Sequence, residues 1–116
     1  MEQAVGGVEE IRRERCRRVQ AGSRRIAVLS VGDRFFAVRD RCPHKGASLC
    51  DGTVGGTFVA SAPQEYLYGN ENMVLRCPWH GWEFDLETGR SLLEPDSVGV
   101  KVYRVTVTDG TVILHT

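Results

Sequence analysis

Two short stretches carry the residues best suited to chemistry: Arg41-Cys-Pro-His44 and Arg76-Cys-Pro-Trp-His80. In each, a cysteine precedes a histidine by two or three positions, a proline follows the cysteine, and a glycine (Gly46, Gly81) stands close behind. Pro43 and Pro78 fix φ and remove a backbone donor. The glycines let the backbone pass close to a bulky group. Thiolate and imidazole are metal donors, so two similarly built loops read together as a metal centre made by Cys42, His44, Cys77 and His80. Zinc in a tetrahedral site is one solution. Against it, Cys42-x-His44 has a single intervening residue, whereas paired zinc ligands usually leave two to four. Residues i and i+2 of an extended loop project to the same side several ångströms apart, which strains convergence on one ion. A centre with two irons relieves this, the cysteine taking one metal and the histidine the other.

The elements that must position these loops are strands. Arg25–Val31 and Arg34–Arg39 are β-rich runs separated by Gly32-Asp33, and Val102–Thr108 and Thr111–His115 are joined by Asp109-Gly110, a strong type I′ hairpin signal. Val74–Arg76 and Trp82–Asp85 read as short strands flanking the second Cys/His stretch, with a turn at Thr88-Gly89. Only the first dozen residues hint at a helical turn. Many short strands punctuated by glycine predict an all-β fold, a small antiparallel sandwich or barrel.

The 116 residues suffice for one domain around a single core. A formal net charge of zero argues against a nucleic-acid partner and against polybasic membrane contact. The charge is uneven, with seven arginines against four acids in residues 1–25. No apolar run approaches the roughly 18 residues of a membrane span, and the N-terminus has no apolar h-region, so a cytoplasmic location is expected. In that reducing setting the four cysteines read as ligands or free thiols rather than a disulfide framework. Cys50 reads as a spectator thiol, and Cys16 and His115 have no partner pattern.

Cys42-x-His44 followed by Cys77-x-x-His80, with His44-Lys-Gly-Ala-Ser-Leu and Cys77-Pro-Trp-His-Gly-Trp-Glu-Phe-Asp around them, resembles the Rieske [2Fe–2S] motif. The likeness runs from about Arg24 to Thr116. It implies a Rieske-like antiparallel β-sandwich over 1–116 as a single domain, with cluster-binding loops at about 41–50 and 76–85. By the resemblance, Cys42 and Cys77 bind one iron of a [2Fe–2S] cluster and His44 and His80 the other, and electrons leave by the histidine edges. Two ferric ions, two sulfides and two thiolates are neutral together, whereas four thiolates leave two negative charges. Reduction of the mixed centre is therefore easier, at about −150 to +300 mV against about −400 mV. High-potential members add a disulfide between the loops and hydroxyls near the sulfurs. The matching positions here hold Ala47, Trp79, Trp82 and Phe84, so a potential near the −150 mV end is expected.

Between His44 and Cys77 lie 32 residues, about twice the compact family spacing, with the extra material at about 55–72. That insertion reads as a surface elaboration, with partner docking as the other reading. Arg12–Arg18 reads as a solvated, charge-protected edge strand, with steering of an acidic partner as the functional alternative. The acids Glu83, Asp85, Glu87, Glu94 and Asp96 could form a docking face for a basic reductase. With one redox centre and no nucleotide-binding glycine motif, the chain is expected to be a one-electron ferredoxin, not catalytic on its own. It would link a flavin-dependent reductase to a terminal oxygenase. A small subunit of a nitrite reductase-like complex is the alternative, and a zinc-stabilised interaction module the remote one.

Overall fold

Strand β3 (Arg24–Val31) shows how the sequence builds the interior. Ile26, Ala27, Val28 and Leu29 are consecutive and all buried. Side chains of a strand alternate between faces, so such a run must be covered on both sides. Ile26 and Val28 enter one apolar cluster, while Ala27, Leu29 and Val31 enter another. The computed structural model describes residues 1–32, 34–43, 48–55, 74–78, 82–92, 96 and 98–116.

Within them the order is β1 (Glu2–Gly7), α1 (Val8–Glu14), β2 (Cys16–Ala21), β3, β4 (Arg34–Arg39), a 3-10 turn (Leu49–Asp51), β5 (Thr53–Gly55), β6 (Val74–Arg76), β7 (Glu83–Asp85), β8 (Val102–Thr108) and β9 (Thr111–His115). They form a six-stranded sheet, β1-β9-β8-β4-β3-β2, and a three-stranded sheet, β5-β6-β7, with every pairing antiparallel. The expected all-β fold is therefore observed. Asp109 and Gly110 both have positive φ (51° and 75°) between the paired Thr108 and Thr111, as a type I′ turn requires.

The N-terminus differs from its sequence reading. Residues 2–7 are a strand on β9, and the helix follows at 8–14, where the Glu10 carboxylate accepts from the Gly7 N–H at 2.9 Å. Seven residues make a helix too short to stand alone. What holds it is Ile11, fully buried in the cluster containing Val5, Val28, Val112 and Leu114. Tertiary burial decides this segment, which local pattern could not foresee. Arg17 and Arg18 lie on β2, an edge strand as expected, while Arg12 and Arg13 belong to the helix.

The cysteine reading needs a larger correction. Cys16 and Cys50 form a disulfide, with Cα atoms 5.7 Å apart and a sequence separation of 34. Neither is a free spectator thiol. The 3-10 turn carrying Cys50 packs on β2 and β3, and that packing brings Cys50 to the start of β2. Arguing from compartment alone missed what the fold makes adjacent. His115 is engaged too, its Nε2 lying 2.8 Å from the Thr106 hydroxyl oxygen.

Candidate metal centre

The first loop leaves the large sheet at the end of β4. Arg39 N–H donates to Lys101 O (2.9 Å) and Asp40 N–H to Arg25 O (2.8 Å), so the backbone is pinned on both sides until two residues before Cys42. Past the loop, the Asp40 carboxylate anchors the return. It accepts from the Ser48 hydroxyl and from the Cys50 N–H, each at 2.9 Å, and Arg18 Nε lies 3.4 Å away. The Asp40 side chain is fully buried, so these partners are what make its charge tolerable there. No sequence pattern singled out Asp40 or Ser48. A carboxylate two positions before a candidate ligand is the only signal that could have done so.

The second loop leaves the small sheet at the end of β6 and closes on itself through Cys77 N–H to Trp82 O, 2.7 Å. The two sheets meet here, Ala27 and Leu29 of β3 sharing one buried cluster with Leu75 and Phe84. Within the small sheet Gly52 lets the chain enter β5 tight against β6, because a Cβ at that position would lie 2.0 Å from the Arg76 carbonyl oxygen. Cys42 and Cys77, 1% and 2% exposed, enter one buried cluster with Leu49, Leu75 and Phe84, and Trp82 packs against it. Neither cysteine is in a disulfide. Burial in such a shell keeps water from the sulfurs.

His44 and His80, with Ala47, Trp79, Glu94 and most of the 55–72 insertion, lie outside the described residues. Among the described residues no group of three or more metal-ligating side chains assembles. The donor chemistry of the described part fits an iron–sulfur group: two cysteines outside the disulfide, one after a strand of each sheet, at the positions the motif requires, in one water-excluding cluster.

Trp82 and Phe84 give this shell apolar side chains in place of hydroxyls at two positions, which makes the potential adjustable. Phe84 is 1% exposed in the cysteine cluster, and Trp82 contributes its backbone carbonyl to the Cys77 contact. Trp82→Ser with Phe84→Tyr keeps that carbonyl and offers hydroxyl donors toward the sulfurs, favouring the more negative reduced state. One charge-assisted hydrogen bond of about 1.5 kcal/mol is roughly 60 mV for one electron, so the midpoint should rise by that much or more. Voltammetry showing no rise would remove these positions from the tuning shell.

A Rieske [2Fe-2S] domain family model matches residues 1–104. Ferredoxin CarAc of Metapseudomonas resinovorans is 36% identical over 93 residues, covering 80% of this chain and 72% of the relative. The structure also superposes, with a TM-score of 0.74 and 31% identity, on a chain from a complex of reduced oxygenase and oxidized ferredoxin in carbazole 1,9a-dioxygenase, covering 97% of this chain and 91% of that one. A chain proposed to be the small subunit of an NADPH nitrite reductase superposes with a TM-score of 0.79 over 100% and 99% of the two chains. Its 22% identity speaks to fold alone. The two-sheet frame, the two cysteines buried together at the loop ends and these matches together place the chain in the Rieske [2Fe-2S] domain family.

Proposed function

We propose that the chain is a one-electron carrier, a Rieske-type ferredoxin delivering electrons from a flavin-dependent reductase to a terminal oxygenase and performing no catalysis of its own. Its cofactor is one [2Fe–2S] cluster, which takes up and releases a single electron when bound. Residues 1–116 act as a single domain, with Cys42 and Cys77 holding one iron and His44 and His80 the other, between loops 41–50 and 76–85. The 55–72 segment is a surface elaboration of that domain.

One observation carries this reading. Of four cysteines, two are consumed in a disulfide, and the other two, buried together, are those at the motif positions. The relatives support the partners: CarAc is named a ferredoxin, and the superposed complex pairs a ferredoxin with an oxygenase. The residues' own part is to pin the loop ends, exclude water from the thiolates and leave the loop tips as the exit for the electron.

Iron and acid-labile sulfide analysis should give about two of each per chain, and the dithionite-reduced protein should give a Rieske-type EPR spectrum. A zinc module would give neither iron nor sulfide. No helix among the described residues is long and apolar enough to cross a membrane. Operation in the cytoplasm belongs to the same proposal. There the Cys16–Cys50 bond would be exposed to the thiol pool, and acid-quenched thiol labelling of cells reads its oxidised fraction.

A further inference from the structure

Most of the charges that the sequence offered as docking elements are already paired. Arg12 bonds Glu9, Arg17 bonds Glu14, and Arg18 bonds both Asp51 and Asp40. The hydrogen bond from Arg17 holds the Glu14 carboxyl below its ordinary range. Glu83 is held by Arg76 at 2.7 Å and Glu87 by Arg34 at 2.8 Å, and the Asp85 carboxylate is turned to the backbone N–H groups of Glu87 and Thr88. Neither the N-terminal arginines nor these acids present a uniform free field.

One set of cations is different. Arg25, Arg39, Arg41 and Lys101 are exposed, and no ion pair joins them to an acidic side chain among the described residues. They come from three neighbouring strands at one end of the large sheet, since Asp40 N–H bonds Arg25 O and Arg39 N–H bonds Lys101 O. Tyr103 lies beneath Lys101 Nζ (5.9 Å to the ring) and Arg24 Cζ (5.7 Å), which orders both cations without neutralising either. Two adjoining grooves of about 340 Å³ each share Arg39 and Arg41. The second is also lined by Lys101 and by Pro43, the residue between Cys42 and His44. Among the described residues that line these grooves the one acid is Asp40, whose carboxylate is buried and bonded inward. A positive field of several unpaired cations therefore borders the first cluster loop, in a chain whose net charge is zero.

We propose that this end of the sheet, Arg25, Arg39, Arg41 and Lys101, is the docking face for a carboxylate-rich surface of the redox partner, seating that partner against the first cluster loop. The proposal rests on the electron-carrier reading and names the chemistry of its partner. Like charges gathered along two grooves that share Arg39 and Arg41 repel one another in the free protein, and a partner's carboxylates relieve that repulsion on binding. Because the field is local rather than global, it should orient the encounter as well as hasten it.

The probe is labelled poly-L-glutamate, followed by fluorescence anisotropy against the holoprotein. The wild-type protein should bind at low ionic strength and release as salt rises. Arg39→Glu with Lys101→Glu should bind at least tenfold more weakly, as expected when a local field reverses sign. Arg12→Glu, with the same change of charge type on the helix, should leave binding unchanged. Its helix ends where Arg15 O accepts from Ser30 N–H, at the opposite end of β3 from Arg25. In a second arm, oxidation of the reduced holoprotein by anionic hexacyanoferrate(III) should slow in the double variant while the midpoint potential stays in place. Equal polymer binding by wild type and double variant overturns the proposal. So does inorganic phosphate displacing the polymer saturably at matched ionic strength, which would assign the grooves to a small anion. Failure of the electron-carrier reading shows separately, as a missing EPR signal, whatever the polymer does.

Discussion

A chain carrying His44→Cys together with His80→Cys is expected to hold its diiron centre near about −400 mV, roughly 250 mV below the wild-type value. The reason is charge. Two neutral imidazoles leave an oxidised centre with no net charge, and replacing both by thiolates adds two negative charges before any electron arrives. In the low-dielectric shell formed by Leu49, Leu75, Phe84 and Trp82, that excess is poorly screened. Redox-titrated EPR of the double variant is the measurement. Cys42→Ala or Cys77→Ala provides the complementary test, since each removes a thiolate that nothing nearby replaces: Cys16 and Cys50 are bonded to each other. Either alanine variant should lose its iron and sulfide entirely. An unshifted potential in the histidine variant, or a full iron complement in a cysteine variant, would show that these four residues are not the ligands.

Where the signal was local, the sequence read well. The Asp109-Gly110 hairpin, the paired strands on either side of Gly32, and the short strands at 74–76 and 83–85 all rest on turn chemistry and alternation within a few residues. The expectation that Cys42 and Cys77 each follow a β-rich run was legible for the same reason, and each comes just after a strand, β4 and β6. What stayed hidden depends on contacts between distant segments. β1 exists because β9 pairs with it across more than a hundred residues, and α1 exists because Ile11 completes a core built by other strands. Asp40 serves the first loop through Ser48 and Cys50, which no spacing rule connects to it. The arginine run at 12–18 looked like one basic patch, yet the fold divides it between a helix and a strand and gives it acids. The unpaired cations of the sheet end are scattered from 25 to 101 and form no run at all.

Removing the Cys16–Cys50 bond by Cys16→Ala with Cys50→Ala is expected to cost about 4 kcal/mol of global stability while leaving the cluster spectrum unchanged. A cross-link closing a 34-residue loop removes roughly that much chain entropy from the unfolded state. The folded state has other means of holding the same segment. Cys50 N–H still bonds Asp40, Ser48 still caps that carboxylate, and Arg18 still reaches Asp51. Leu49 remains fully buried beside Cys42. The loss should therefore fall on the unfolded ensemble rather than on the loop geometry, which separates this pair from the ligand cysteines. Native-state hydrogen exchange reads it without unfolding the holoprotein. The slowest amides, expected in β3 and β4 around Val28 and Val38, open only with global unfolding and should exchange roughly 1,000-fold faster. If those amides kept their rate while the 49–51 turn alone became exposed, the bond would be a local staple of the first loop and not a constraint on the whole chain.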